Sequence, residues 1–355
     1  MRSIRIISLI TTLMLMASVL SVAAVTENDR QSSFEYKEFG DNDIYLTALE
    51  LYMPRVYDSI GKKIDGGVTV PIPGLVKTSI SSEDGQEGST SYVPQGLCMA
   101  DKYMLATAYD AKKKSRSVIY AVDTESGGIV STLIVPNTYH LGGISFDGNN
   151  IWLTGDTSDK YKGEPFVQYI RYSDFRQMIE DPVHEVTEKE ISEPVYIKNK
   201  PSFLECDNGI LWVGTYIGKG SSKKGFMNGY RIVEKENGPQ LGTFMYAVLT
   251  GIDSSAQGAD IEGDSLYVSS SYGGGSGAIQ SSFVTRYSLG DAKNGDTDLN
   301  TTKRERKRIE VPKMNEEIIV TDEGVQMTFE AAADCWPYVV IPTDRILAVK
   351  ASLWR

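Results

Sequence analysis

Cysteine and histidine are nearly missing, three of one and two of the other in 355 residues. Cys98, Cys206 and Cys335 are too few, and odd in number, for a disulfide framework or a Cys-based zinc site. One histidine with one or two acids falls short of a catalytic metal's donor set, so neither metal nor cofactor is expected. No nucleophile elbow is present, which weighs against a Ser-His-Asp enzyme. Basic residues are also short, 36 against 47 acidic. An acidic chain of this kind is a poor ligand for nucleic acid or an anionic membrane.

What is present begins at the N-terminus. Residues 1–24 hold two arginines (Arg2, Arg5), no acid, an apolar run from Ile6 to Leu20, and the small residues Ser21, Val22, Ala23 and Ala24. That order is the grammar of a secretory signal peptide. The expected location is secreted or cell-surface, with an uncleaved membrane-anchoring helix as the alternative. Without those 24 residues, which carry two of the 36 basic and none of the 47 acidic side chains, 331 residues remain at a formal charge of −13. Residues 25–69 read as an N-terminal extension with an amphipathic helix over Asp43 to Lys62, broken at Pro54, and 70–355 as the main domain.

The main domain repeats. Five segments share an apolar strand, a short acidic or Gly-containing turn and a second apolar strand, starting at Gln95, His140, Ser202, Gln257 and Glu316. These anchors are 45, 62, 55 and 59 residues apart, and Leu105, Leu153, Val213, Val268 and Met327 align behind them. Alternating third strands follow, as in Val167 to Tyr172 and Phe283 to Ser288, and a fourth in the first units, Gly128 to Val135. Repeated four-stranded antiparallel units predict an all-β fold, a five-bladed β-propeller. The last unit ends soon after its third strand, so a strand near Leu75 to Ser81 is expected to close the ring. Ser173 to Glu180 reads as a short helical insertion.

The stretches Pro94-Gln95-Gly96, His140-Leu-Gly-Gly-Ile144, Gln257-Gly258, Phe329-Glu330-Ala331 and Pro342-Thr-Asp-Arg-Ile346 resemble a family of exported, largely uncharacterised bacterial propeller proteins. The resemblance covers about residues 92 to 349 and implies five blades and a central site. It implies no chemistry, since propellers host many functions.

Several motifs reduce to turns. The acidic clusters at 147–150, 207–209, 262–264 and 322–324 lie between first and second strands, where Asp, Asn and Gly suit tight hairpins, and lack the ligand spacing of a calcium loop. Gly273 to Ala278 is followed by strand rather than helix, so it reads as a loop and not a nucleotide cradle. Cys98 and Cys206 read as small buried residues, and His184 as a surface residue of an acidic insert.

The polar anchors remain. Gln95, His140, Ser202, Gln257 and Glu316 should converge at one end of the central channel, where they line a ligand site or merely satisfy channel water and backbone. Long loops belong to that face: Tyr109 to Ser117, Gly155 to Pro165, Tyr216 to Phe226, Tyr272 to Ser282 and Ala331 to Asp344. The first three carry nine basic residues (Lys112, Lys113, Lys114, Arg116, Lys160, Lys162, Lys219, Lys223, Lys224) against four acids. Such a rim steers an anionic ligand, or simply keeps loops soluble. The expected function is a binding module for a polar or anionic small molecule or glycan. Tyr109, Tyr216, Tyr272 and Trp336 would be its stacking surfaces. The alternative is an extracellular hydrolase or lyase acting on a sugar or ester through His140 and Glu316, with only Glu316 and Glu330 as acids in suitable places.

Overall fold

The computed structural model describes residues 34–35, 42–60, 77–78, 91–155, 163–218, 221–242, 247–271, 282–290, 297–299, 306–322, 324–336, 339 and 342–354. The N-terminal 24 residues, Lys160, Lys162, Lys219, Tyr272 and the glycine run 273–278 lie outside that set.

Five antiparallel sheets form the blades of a five-bladed propeller. Blade 1 runs outward from Tyr92–Ala100 through Tyr103–Asp110 and Val118–Asp123 to Ile129–Ile134. Blade 2 is Ile144–Phe146, Asn150–Thr154, Phe166–Arg171 and Val195–Tyr196. Blade 3 is Phe203–Asp207, Ile210–Thr215, Gly225–Val233 and Ala247–Ile252. Blade 4 is Ala256–Glu262, Ser265–Ser270, Ser282–Ser288 and Arg306–Val311, and blade 5 is Asn315–Thr321, Gly324–Phe329 and Leu347–Val349. The innermost strands meet in the order 1, 2, 3, 4, 5 and back to 1, which closes the ring. Within it, the five aligned apolar positions pair with Cys98, Ile144, Leu204, Ala259 and Ile318 on the innermost strands.

The expected closing strand is corrected by the structure. Lys77–Thr78 pairs with Phe34–Glu35 in a separate two-stranded sheet, and blade 5 has three strands among the described residues. Its outer edge is met by a helix instead. Helices α1 (Asn42–Tyr52) and α2 (Pro54–Ile60) are split at Pro54, which suits the first turn of a helix but not its interior. The Ser59 hydroxyl accepts the Lys350 N–H at 2.8 Å, satisfying a donor beside the third strand. Leu49, Val56 and Ile60 of these helices share one apolar cluster with blade 5 and with faces of blades 4 and 1.

Two insertions reach back one blade. Helix α3 (Tyr172–Met178) leads into Val183–Glu185, which joins blade 1 in parallel against Thr132, Leu133 and Ile134. Thr297–Asp298, within blade 4, joins blade 3 in parallel against Leu249 and Thr250. His184 sits in the first of these straps, 3.1 Å from the Glu190 carboxylate.

Candidate functional site at the channel mouth

The anchors occupy the start of the innermost strands, with local differences. Tyr92–Ala100 starts three residues before Gln95, and Gln95, Gln257 and Glu316 fall in register shifts at 94/97, 256/258 and 315/318. A bulge re-aims its side chains, which turns these three out of the ladder. His140 lies four residues ahead of Ile144 and Ser202 one ahead of Phe203.

Close backbone approach fixes where they stand. A Cβ on Gly143 would lie 2.6 Å from the Leu204 nitrogen, and one on Gly142 2.5 Å from the Ser202 carbonyl oxygen. A Cβ on Gly258 would lie 2.0 Å from Oε1 of Glu317. The glycines of the His-Leu-Gly-Gly and Gln-Gly stretches are thus contacts between blades. They set the backbones of blades 2 and 3, and of blades 4 and 5, close together beside His140 and Gln257.

Polar side chains of blades 1, 2, 4 and 5 meet there. Gln95 Nε2 donates to the Pro94 carbonyl at 2.8 Å and to Glu330 Oε2 at 3.3 Å. Its Oε1 lies 2.5 Å from His140 Nε2, and since an amide oxygen only accepts, Nε2 of His140 carries the proton. The His140 ring stacks on Tyr109 with centroids 4.2 Å apart. Gln257 Nε2 donates to Glu316 Oε1 at 3.2 Å. Glu316 and Glu330 flank the Asn315–Phe329 pair on neighbouring strands of blade 5, so two acids and two glutamines form matched amide–acid pairs.

Both acids are buried, at 3% and 7% exposure, while His140 is exposed and Tyr109 and Trp336 are half-buried. Burial, then the Glu330 charge, pushes the Glu316 carboxyl well above the usual range. Burial pushes Glu330 up to about 7, with Trp336 and Gln95 acting in the opposite direction. Glu330 therefore changes charge near neutral pH, and beside it burial favours the protonated form of Glu316. Ser202 is occupied differently: its Oγ accepts the N–H of Tyr216, an exposed residue. Glu316 thus bonds Gln257 and feels the Glu330 charge, and His140 is linked to Glu330 through Gln95.

Deeper acids were not singled out by the repeat. A cavity of about 150 Å³ at the other end of the innermost strands is lined by Cys98, Ser145, Glu205, Cys206 and Asp260 among others. Burial raises both thiols and the Glu205 carboxyl, and takes Asp260 up to about 7. Glu317, at 1% exposure, accepts from the Ala259 and Ile318 amides through Oε1, and its Oε2 has no partner. The available signal was an acid inside an apolar strand, as in Phe203-Leu-Glu205-Cys and Ala259-Asp260-Ile. Among the described residues, no group of three or more His, Cys, Asp or Glu is arranged to hold a metal ion.

The rim is described only in part. The loop after Tyr109 wraps Asp110, whose carboxylate accepts the Lys112, Lys114 and Ser115 amides, leaving Lys112, Lys113 and Lys114 exposed. Arg116 pairs with Glu185 at 2.8 Å.

No protein-family profile matches the chain, and no curated protein does. Among solved structures, Myxococcus xanthus glutaminyl cyclase is similar at 12% identity and a TM-score of 0.40, covering 74% of this chain and 91% of that one. A chain of the nidogen–laminin complex is similar at 12% identity and a TM-score of 0.37, covering 75% and 83%. The ring of five antiparallel sheets makes the chain a five-bladed β-propeller.

Proposed function

We propose that this protein is a binding module, working outside the cytoplasm once residues 1–24 are removed, that captures a polar small molecule or glycan at the channel mouth. The observation that carries the reading is the Gln95 amide, which ties His140 of blade 2 to Glu330 of blade 5. Polar groups from separate blades joined at one opening are what orient a ligand in a site walled by apolar blades. Tyr109 and Trp336 offer flat faces beside them. The lysine loops are the source of any preference for anions, which added salt would weaken.

Thermal-shift screening with neutral, acidic and basic oligosaccharides, followed by titration calorimetry, tests this. The expected result is a ligand whose affinity falls at least tenfold in Gln257→Ala and His140→Ala. Ligands indifferent to both substitutions overturn it.

The hydrolase or lyase reading is favoured by one observation. Two buried carboxyls, Glu316 and Glu330, flank the Asn315–Phe329 pair, and burial raises both, Glu330 to about 7, in the range an acid and base pair requires. It shifts the pair from His140 and Glu316 to Glu330 and Glu316, and requires turnover that Glu316→Gln and Glu330→Gln each abolish.

A further inference from the structure

Among the described residues, the acids at the mouth have no basic side chain paired with them. The charges that act on Glu316 are those of Glu330 and Glu317, and those on Glu317 are Glu205 and Asp260, so carboxyl groups follow one another from the mouth into the channel. Tyr109 and Cys335 also face Glu330, and His140 reaches it through Gln95. Beneath the mouth pair, Glu317 keeps one carboxyl oxygen buried with no partner. Buried carboxyls standing together without a cation are costly, and their complement is a positive group.

A metal ion does not answer that need, because no three donors converge among the described residues. An ammonium does: it presents three N–H donors at ordinary hydrogen-bond distances and is attracted to aromatic faces. Tyr109, stacked on His140, and Trp336, beside Glu330, supply such faces at the opening.

We propose that the channel mouth takes a ligand bearing a primary ammonium, seated on the Glu316 and Glu330 carboxyls between Tyr109 and Trp336. The proposal rests on the reading of the mouth as the ligand site. On binding, Glu330 gives its proton to the solvent and stays ionised against the ammonium, so no other reactant is required.

A matched set of five-carbon probes tests it: 1,5-diaminopentane, 1,5-pentanediol and glutarate, titrated calorimetrically into the full mature chain. The diamine should bind and the diol and glutarate should not. The diamine's affinity should rise about tenfold from pH 6 to pH 8, as a group near pH 7 goes from mostly protonated to mostly ionised. Protons should be released, seen as a dependence of the heat on buffer ionisation enthalpy. Glu330→Gln should weaken the diamine at least tenfold at pH 8 and flatten the pH dependence. Should Glu330→Gln fail to fold, Tyr109→Ala and the proton release still decide. Glutarate or diol binding lost in Gln257→Ala overturns the ammonium class and leaves the mouth as the site. Diamine binding indifferent to Glu330→Gln and Tyr109→Ala, or no binding at all, overturns the proposal.

Discussion

A single methyl group separates tolerated from untolerated at the blade seams. On Gly258 it would meet Glu317 Oε1 at 2.0 Å and the Glu317 Cα at 2.7 Å, and the backbone atom has no room to retreat. Gly258→Ala is expected to cost about 3 kcal/mol, read as a lower urea midpoint at unchanged slope. Gly209, in a hairpin turn at φ +73, meets nothing within 4 Å; there the cost of alanine comes from the left-handed backbone alone. The Gln-Gly stretch looks like a ligand motif in the sequence. Its glutamine faces the mouth, while its glycine holds two blades together.

At the scale of elements, hydrophobic alternation told strands apart and turn chemistry told where they ended. The repeat phased by Leu105, Leu153, Val213, Val268 and Met327 appears as five equivalent pairings. Edges were not legible, because what covers a sheet edge is decided by tertiary contact. Nothing in Leu75 to Ser81 distinguishes a strand bound for blade 5 from one bound for Phe34–Glu35. The mouth was half legible for a similar reason. Gln95, His140 and Glu316 share a repeat position, whereas Glu330 joins them from the end of a second strand. The helix at the edge gives a test: Ser59→Ala should cost about 1 kcal/mol and speed hydrogen exchange at the Lys350 amide above that of other blade-5 amides.

The ring as a whole is tied at its seams by one recurring bond. Ser145 of blade 2 accepts the Cys206 N–H of blade 3 at 2.8 Å, Glu205 of blade 3 accepts Ile261 of blade 4 at 3.3 Å, and Asp260 of blade 4 accepts Val320 of blade 5 at 3.1 Å. The same register position is Ile319 in blade 5 and Met99 in blade 1, neither with an acceptor to offer. Those two seams have ties outside the channel: Val183–Glu185 runs from blade 2 onto blade 1, and the helices share their core with blades 5 and 1.

Buried acids, Glu205 and Asp260 of these ties and the three of blade 5, set the response to pH. The folded-state values of Glu205, Asp260, Glu316, Glu317 and Glu330 are raised, so their contribution is fully present below the unfolded carboxylate range and is lost as pH rises through the folded values, about 7 for Asp260 and Glu330. Glu190, held low through Thr187 and His184, works the other way and only in acid. Urea midpoints should therefore be higher at pH 6 than at pH 8. The slope should be about 1.4 kcal/mol per pH unit for each proton the folded chain holds and the unfolded one does not. A midpoint that rises from pH 6 to pH 8 would falsify the burial of these acids.

The straps that step back one blade also impose an order in time. A chain made from its N-terminus completes Ile129–Ile134 of blade 1 but cannot add the parallel neighbour until Val183–Glu185 has followed. Blade 3 likewise waits for Thr297–Asp298. A chain cut after residue 171 should thus leave blade 1 more open to protease than one cut after 191. Ser59, made early, has to wait for Lys350, made 291 residues later, before its hydroxyl meets the amide it holds.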